Sequence, residues 1–302
     1  MAEKQRRVVA LGFFDGLHRG HKAVIDRAAE LAQSLKATLS IVTFDRRPKN
    51  AVRGESAELL TDRAAKAELV RRLFPEAELI ELIFDEALRQ TPWQTFASEI
   101  LQAKLGAVAA VCGENFRFGA RGEGTPALLR SVLPTEIVGE LTDGGLVVSS
   151  TRIRLLIESG EIACATRLLG HPHTIVGPVV HGDGRGATLG FATLNIALSP
   201  DLIRPRPGVY ASRLTLRGQT YQAITNFGTR PTFYENGVYD CETHVFGLQG
   251  DCYGETAILS LAAFLRPERK FATREALIEQ IRTDVEAAKR CLNSNDERGE
   301  EL

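Results

Sequence analysis

Val8 to His21 reads VVALGFFDGLHRGH. An apolar run breaks at Gly12 into a segment with three glycines, an aspartate and two histidines three residues apart. Helical spacing then resumes at Val24, Ala28, Leu31 and Leu35. A strand, a glycine-bearing turn and a helix make an anion site. The free amides of the first helical turn face the anion, the helix dipole adds about half a positive charge, and glycine admits close backbone approach. Gly12, Asp15, Gly16 and Gly20 shape this turn, and either His18 or His21 can donate to a phosphate oxygen. The same spacing also occurs in a turn with two incidental surface histidines. A metal reading is weaker, because His-x-x-His lacks the further ligands that complete a site.

Beyond this motif, apolar runs alternate with helical patterns. The runs are TLSIVTF from Thr38, ELIELIF from Glu78, AVAAVC from Ala107 and TEIVGE from Thr135, with helices expected near 62–74, 93–105 and 125–132. Strands apolar on both faces and joined by helices predict an α/β domain, a doubly wound parallel sheet with ligands beyond its strands' carboxyl ends. After about Gly170 the rhythm changes to HTIVGPVV, ATLNIAL, GVYASRLTLRGQTYQAITNFG, CETHVFGL and TAILSLAAFL, short patterns punctuated by Gly and Pro. They predict an all-β second domain, an antiparallel barrel or sandwich with a hairpin turn at Arg217-Gly218-Gln219. A helix from about Thr273 to Cys291, capped by Thr273, closes it, and the tail from Asn293 is expected to be mobile. The expected domains are 1–170 and 171–302, each with its own core.

Composition narrows the function classes. A chain of 302 residues exceeds the ~100–200 typical of one domain, so two are expected. A net charge of −1 argues against a nucleic-acid partner, which needs a basic face. The five cysteines are scattered without Cys-x-x-Cys, which predicts reduced thiols in a cytoplasmic protein rather than disulfides or zinc. The N-terminus MAEKQRRVVALGFF is unlike a secretory signal, and no segment reaches membrane-spanning length.

The string GFFDGLHRGH resembles the G-x-F-D-G-x-H-x-G-H signature of the adenylyltransferase module of bacterial bifunctional riboflavin kinase/FMN adenylyltransferases (FAD synthetases). GENFRFG (Gly113–Gly119) and VSSTRIR (Val148–Arg154) resemble that module's other motifs, in the same order. HGDGRGATLGF, TLN, TNFGTRPTF and ETH resemble the flavokinase half, so the likeness spans nearly the whole chain. It implies phosphorylation of riboflavin to FMN and adenylylation of FMN to FAD, with ATP and Mg²⁺ at both sites and flavins as substrates and products.

In the first domain the resemblance implies that His18 and His21 hold the ATP phosphates and stabilise developing charge. Asn115 would hydrogen-bond the phosphates, and Ser150, Thr151 and Arg154 would grip the departing pyrophosphate. On its own that last motif is more often only a helix cap, at Ser149 or Ser150. In the second domain Gly182, Gly184, Arg185 and Gly186 would cradle nucleotide phosphates, although tight barrel turns account for such glycines about as well. Thr193 and Asn195 would present oxygens to Mg²⁺, and Asn226 and Arg230 would contact the flavin. Glu242 would be the catalytic base. An alternating strand turns Asp240 and His244 to the same face, and a histidine titrates nearer neutrality, so His244 is the rival base.

Two departures from the family pattern stand out. Ala192 and Leu194 replace the Pro and Ala of a Pro-Thr-Ala-Asn motif; losing the ring costs about 0.4–1 kcal/mol through chain entropy. Weaker Mg-ATP binding is expected, with the chemistry retained. Arg46 and Arg47 stand where the family shows Pro-His. They can serve a phosphate or remain solvated. A nucleotidyltransferase with a different acceptor and a non-catalytic flavin-binding regulator are the competing classes; TNFGTRPTF with ETH argues against the first, and the retained His21, Thr193, Asn195 and Glu242 against the second.

Overall fold

The computed structural model describes residues 5–46, 58–182, 191–230 and 238–297. Contacts divide the chain into two compact units, Met1–Ala57 with Lys66–Ser149, and Glu58–Ala65 with Ser150–Leu302.

In the first unit β1 (Arg7–Leu11), β2 (Thr38–Phe44), β3 (Glu78–Leu82), β4 (Ala107–Gly113) and β5 (Thr135–Val138) form a parallel sheet in the order β3-β2-β1-β4-β5. Successive residues of each strand serve opposite faces. Val8, Ala10, Ile41, Ala109 and Val111 pack against Val24, Ile25 and Ala28 of α1 (Arg19–Ser34) and Leu69 and Val70 of α2 (Arg63–Leu73). Val9, Leu11, Val42, Ala110 and Cys112 pack on the other face against Phe96, Ala97 and Leu101 of α3 (Phe96–Lys104) and Leu129 of α4 (Pro126–Arg130). Both faces are covered, which is why these strands read as unbroken apolar runs. The strand order reverses between β1 and β4, so the carboxyl ends of those two strands flank the crevice in which such sheets bind ligands.

Two details were not legible from periodicity. α3 is π-helical, with the Leu105 amide donating to the Ile100 carbonyl at 2.9 Å; its residue types do not distinguish that bonding from an α-helix. A hairpin of β6 (Thr142–Asp143) and β7 (Leu146–Val147) is too short and too exposed to leave an apolar pattern.

In the second unit α5 (Ser150–Ser159) and α6 (Ile162–Leu169) precede a closed barrel. Its strands are β8 (His173–Val180), β9 (Leu194–Ile196), β10 (Gly208–Leu216), β11 (Gln219–Arg230), β12 (Val238–Val245) and β13 (Thr256–Pro267), in the order β10-β11-β12-β9-β8-β13. Arg217 and Gly218, at φ 54° and 77°, make the two-residue turn joining β10 to β11; left-handed geometry at both positions matches the strand twist. The interior is apolar, with Tyr210, Phe227, Leu259 and Leu261 at its centre. It also holds buried hydroxyls: Ser212 lies 2.8 Å from Thr225, and Thr225 lies 3.0 Å from Thr243. Ile162 of α6 belongs to this core, which therefore draws on residues before 171.

The closing helix α7 (Arg274–Glu297) is capped by the Thr273 hydroxyl, which accepts from the Ala276 amide at 3.1 Å. It continues past Cys291, so Asn293 to Glu297, expected in a mobile tail, are helical; Ala288 and Leu292 bury this end against Val209, Ala211 and Ile224. Arg266 of β13 grips Asp284 of α7 at 2.8 Å.

His173, at the start of β8, is 1 % exposed. Burial, with the nearby His171 charge, pushes its imidazole down to about 4. Between that value and the ordinary 6.5 the unfolded chain binds the extra proton, so stability is lost as pH falls through the window. The barrel should therefore lose about 2 kcal/mol between pH 7 and pH 5 from this group. Hydrogen exchange of barrel amides at both pH values measures the loss, and His173→Phe should flatten it.

Candidate functional site

Beyond β1 the chain turns sharply. Phe14 and Leu17 have φ of 53° and 42°, Gly16 has 81°, and the Leu17 amide donates to the Phe14 carbonyl at 3.3 Å. A Cβ on Gly12 would lie 2.8 Å from the Phe14 ring, so glycine there is what lets the ring fold back. His18 caps α1: its Nδ1 accepts from the His21 amide at 3.3 Å, and the two imidazoles stack with centroids 3.6 Å apart. A Cβ on Gly20 would be 3.2 Å from the His18 ring, which accounts for a small residue at that place. His21 meets Phe14 edge-on, and its buried Nδ1 has no partner among the described residues. Burial first, then the charges of His18 and Lys66, hold its imidazole well below the usual range, so His21 is neutral at pH 7. Gly12 to His21 thus form one tight turn that ends at the N-terminus of α1.

Asn115 follows β4, the neighbour of β1, and its Nδ2 donates to Glu140 at 2.6 Å. Ser150, Thr151 and Arg154 lie in the first turns of α5, which groups with the barrel unit. Arg46 is exposed and pairs with Asp45 at 3.3 Å, the solvated state of such a side chain, whereas Arg47 lies outside the described residues. The spacing gave no hint of two further side chains. Lys66 of α2 is buried and donates to the Phe13 carbonyl and to Thr43, and Arg19 at the start of α1 pairs with Asp143 of the β6–β7 hairpin at 3.1 Å.

The barrel carries a second constellation. Asn195 of β9 is paired in register with Glu242 of β12, which is paired with Asn226 of β11, giving a polar row across three adjacent strands. Cys241, Thr243 and Val245 are buried in the barrel, so Asp240, Glu242 and His244 share the opposite face. The Thr193 hydroxyl donates to Glu242 Oε1 at 2.6 Å. His244 Nδ1 donates to the Ala192 carbonyl at 2.8 Å, tying that loop to β12. A Cβ on Gly182 would come within 1.9 Å of the Asn195 amide, so glycine there makes room for the asparagine.

Asn226 Nδ2 donates to Glu268 at 3.3 Å, and the same carboxylate covers Gly228. Glu268 sits just after β13 and has no neighbouring motif in the sequence to mark it. His181 stacks on the exposed Tyr253 at 3.6 Å. Gly184, Arg185 and Gly186 lie outside the described residues, as does the side chain of Arg230.

Comparisons with known proteins also find two parts in the chain. Residues 1–152 match the family model described as FAD synthetase, and residues 169–292 match that described as riboflavin kinase. The chain is 34 % identical over 284 residues to the bifunctional riboflavin kinase/FMN adenylyltransferase of Listeria monocytogenes, covering 92 % of this chain and 90 % of the relative. The protein of that name from Bacillus subtilis is 33 % identical, with 97 % and 94 % covered, and that from Escherichia coli K12 is 32 % identical, with 94 % and 92 % covered. A crystal structure described as a macrolide-efflux protein from Streptococcus pneumoniae matches with a TM-score of 0.82 at 29 % identity, covering 96 % of this chain and 95 % of its own. Among the described residues no helix is long and apolar enough to cross a membrane.

Gly182→Ala should displace the Asn195 side chain while sparing the barrel. In a ¹H–¹⁵N spectrum the Asn195 amide pair should shift strongly, with core amides unmoved; an unshifted pair would show that the loop, not the asparagine, gives way.

Proposed function

Because the chain belongs to the bifunctional riboflavin kinase/FMN adenylyltransferase family, it phosphorylates riboflavin to FMN and adenylylates FMN to FAD, and we propose that the parallel-sheet unit carries out adenylylation and the barrel unit phosphorylation. The observation that carries the kinase assignment is the row Asn195–Glu242–Asn226 with Thr193 bonded to Glu242.

In the barrel unit, Glu242 accepts the proton of the ribityl hydroxyl as its oxygen attacks the γ-phosphorus of ATP and the bond to the β–γ bridging oxygen breaks, releasing ADP. Thr193 occupies Oε1, which leaves Oε2 for that proton and fixes the carboxylate's orientation. His244 shares the face, and donation from its Nδ1 to the Ala192 carbonyl leaves Nε2 as the basic nitrogen, so it stands as the rival base. Thr193 and Asn195 offer the oxygen ligands a hard cation takes, and the space Gly182 leaves for Asn195 fits that use. Bound with ATP, Mg²⁺ neutralises phosphate charge. By their motifs Gly182, Gly184, Arg185 and Gly186 are assigned to the nucleotide phosphates, and Asn226 and Arg230 to the flavin.

In the first unit the FMN phosphate attacks the α-phosphorus of ATP in line, which asks for positioning and charge neutralisation rather than a protein nucleophile. The α1 N-terminus, with Gly12, Asp15, Gly16 and Gly20 shaping its approach, receives the phosphates. His21, held neutral, donates one N–H to them, and His18 orients it by stacking and by accepting its amide. Asn115 contributes a donor once it turns from Glu140. Ser150, Thr151 and Arg154 are assigned to the pyrophosphate from their motif. The five cysteines are free thiols, which supports a cytoplasmic setting.

Purified protein given riboflavin, ATP and Mg²⁺ should yield FMN and then FAD on flavin chromatography. Glu242→Gln should cut riboflavin phosphorylation by about a hundred to ten thousand fold while FMN adenylylation continues. Survival of kinase activity in that variant, with collapse in His244→Gln, would move the role to the histidine. His21→Ala should cut FAD formation by about a hundred to a thousand fold and spare phosphorylation. FAD made at the wild-type rate would return His21 to a surface turn.

A further inference from the structure

Lys66 is a buried cation that neither reaction described above uses. It is 4 % exposed. Its Nζ donates to the Phe13 carbonyl at 2.8 Å and to Thr43 Oγ1 at 3.1 Å, and lies 4.1 Å from the centre of the Phe13 ring. The Thr43 hydroxyl donates to the same carbonyl at 2.9 Å. The peptide oxygen immediately before the left-handed Phe14 therefore takes two hydrogen bonds from other elements. Among the described residues three titratable groups face the ammonium: Asp15 in the turn, Glu81 on β3 and His21 in the first turn of α1. The carboxylates favour the lysine's charge, and that charge disfavours one on His21.

An ammonium is a costly way to fill a core, where an apolar side chain of similar length would serve. We propose that Lys66 is a positioning residue of the adenylylation site: its ammonium locks the turn that carries His18 and His21 and sets a fixed positive charge behind the phosphate-binding loop. The inference rests on the assignment of FMN adenylylation to this unit.

Burial brings the Lys66 amine down to about 8, against the two carboxylates. The charge is therefore present below that pH and lost above it. A neutral amine still donates to both oxygens, so the turn keeps its shape while the field disappears. Between about 8 and the ordinary 10.5 the unfolded chain holds the proton and the folded one does not, so this titration adds stability as pH rises. Deprotonation of Lys66 thus does not itself unfold the protein.

The test measures FAD formation by the full-length protein from FMN, ATP and Mg²⁺ between pH 6.5 and 9.5, with riboflavin phosphorylation by the same preparation as internal reference. FAD formation should fall about tenfold across this range with its midpoint near 8, a limb that phosphorylation does not share. Lys66→Met should be about tenfold slower at pH 7 and flat through pH 8. Lys66→Arg, charged throughout, should lose the limb. Thermal unfolding checks that each variant is folded, and the wild-type profile decides if neither is. A flat wild-type profile, or a limb that persists in Lys66→Met, overturns the inference and leaves adenylylation standing. No FAD at any pH overturns the assignment of adenylylation itself.

Discussion

The N-terminal site depends on a conflict between backbone strain and burial that burial wins. Phe14 and Leu17 hold left-handed conformations, which cost a side-chain-bearing residue about 1–2 kcal/mol each. They are 2 % and 1 % exposed, and burying such side chains returns roughly 1.5–3 kcal/mol apiece. The turn can therefore be tight without glycine at either position. With those two side chains fixed in the core, the chain goes from the end of β1 to the first turn of α1 in seven residues. The stacking of His18 on His21 and the burial of Asp15 follow from that short path.

Much of this was legible in the sequence because it reflects periodicity. The unbroken apolar runs of β1, β2 and β4 announced a sheet covered on both faces, and Arg217-Gly218 announced its hairpin. What periodicity could not show was any interaction between distant segments. Lys66 lies in a helical stretch where a lysine ordinarily faces water, and only the fold brings it under Phe13. Glu268 follows a strand without a motif, yet it holds Asn226. Asn115, a phosphate ligand by its motif, is bonded to Glu140, a partner twenty-five residues on that spacing cannot name. The π-helical bonding of α3 likewise leaves no mark in residue type.

The second site owes its geometry to the period of two in a β-strand. The face of β12 that carries Glu242 and His244 is the reverse of the face that buries Cys241, Thr243 and Val245. Register with β9 and β11 then sets Asn195 and Asn226 beside Glu242 without any loop having to place them. The hydroxyls of Ser212, Thr225 and Thr243 reinforce that register from inside. A slip of one residue would put them outside and carry Glu242 into an apolar core, where a charge is not tolerated.

Glu58–Ala65 belongs to the barrel unit although it interrupts the first unit in sequence. The Leu59 amide donates to Asp201 at 2.7 Å, and the Leu59 carbonyl accepts from Ile203 at 2.8 Å. The ribosome thus releases one small piece of the barrel long before the strands it joins. Closing so wide a loop adds little to its entropy cost, which grows only logarithmically, but non-local pairings of this kind slow folding. The segment must stay uncommitted while the rest of the first unit and α5 are made, and the barrel unit is complete only when the chain returns to it.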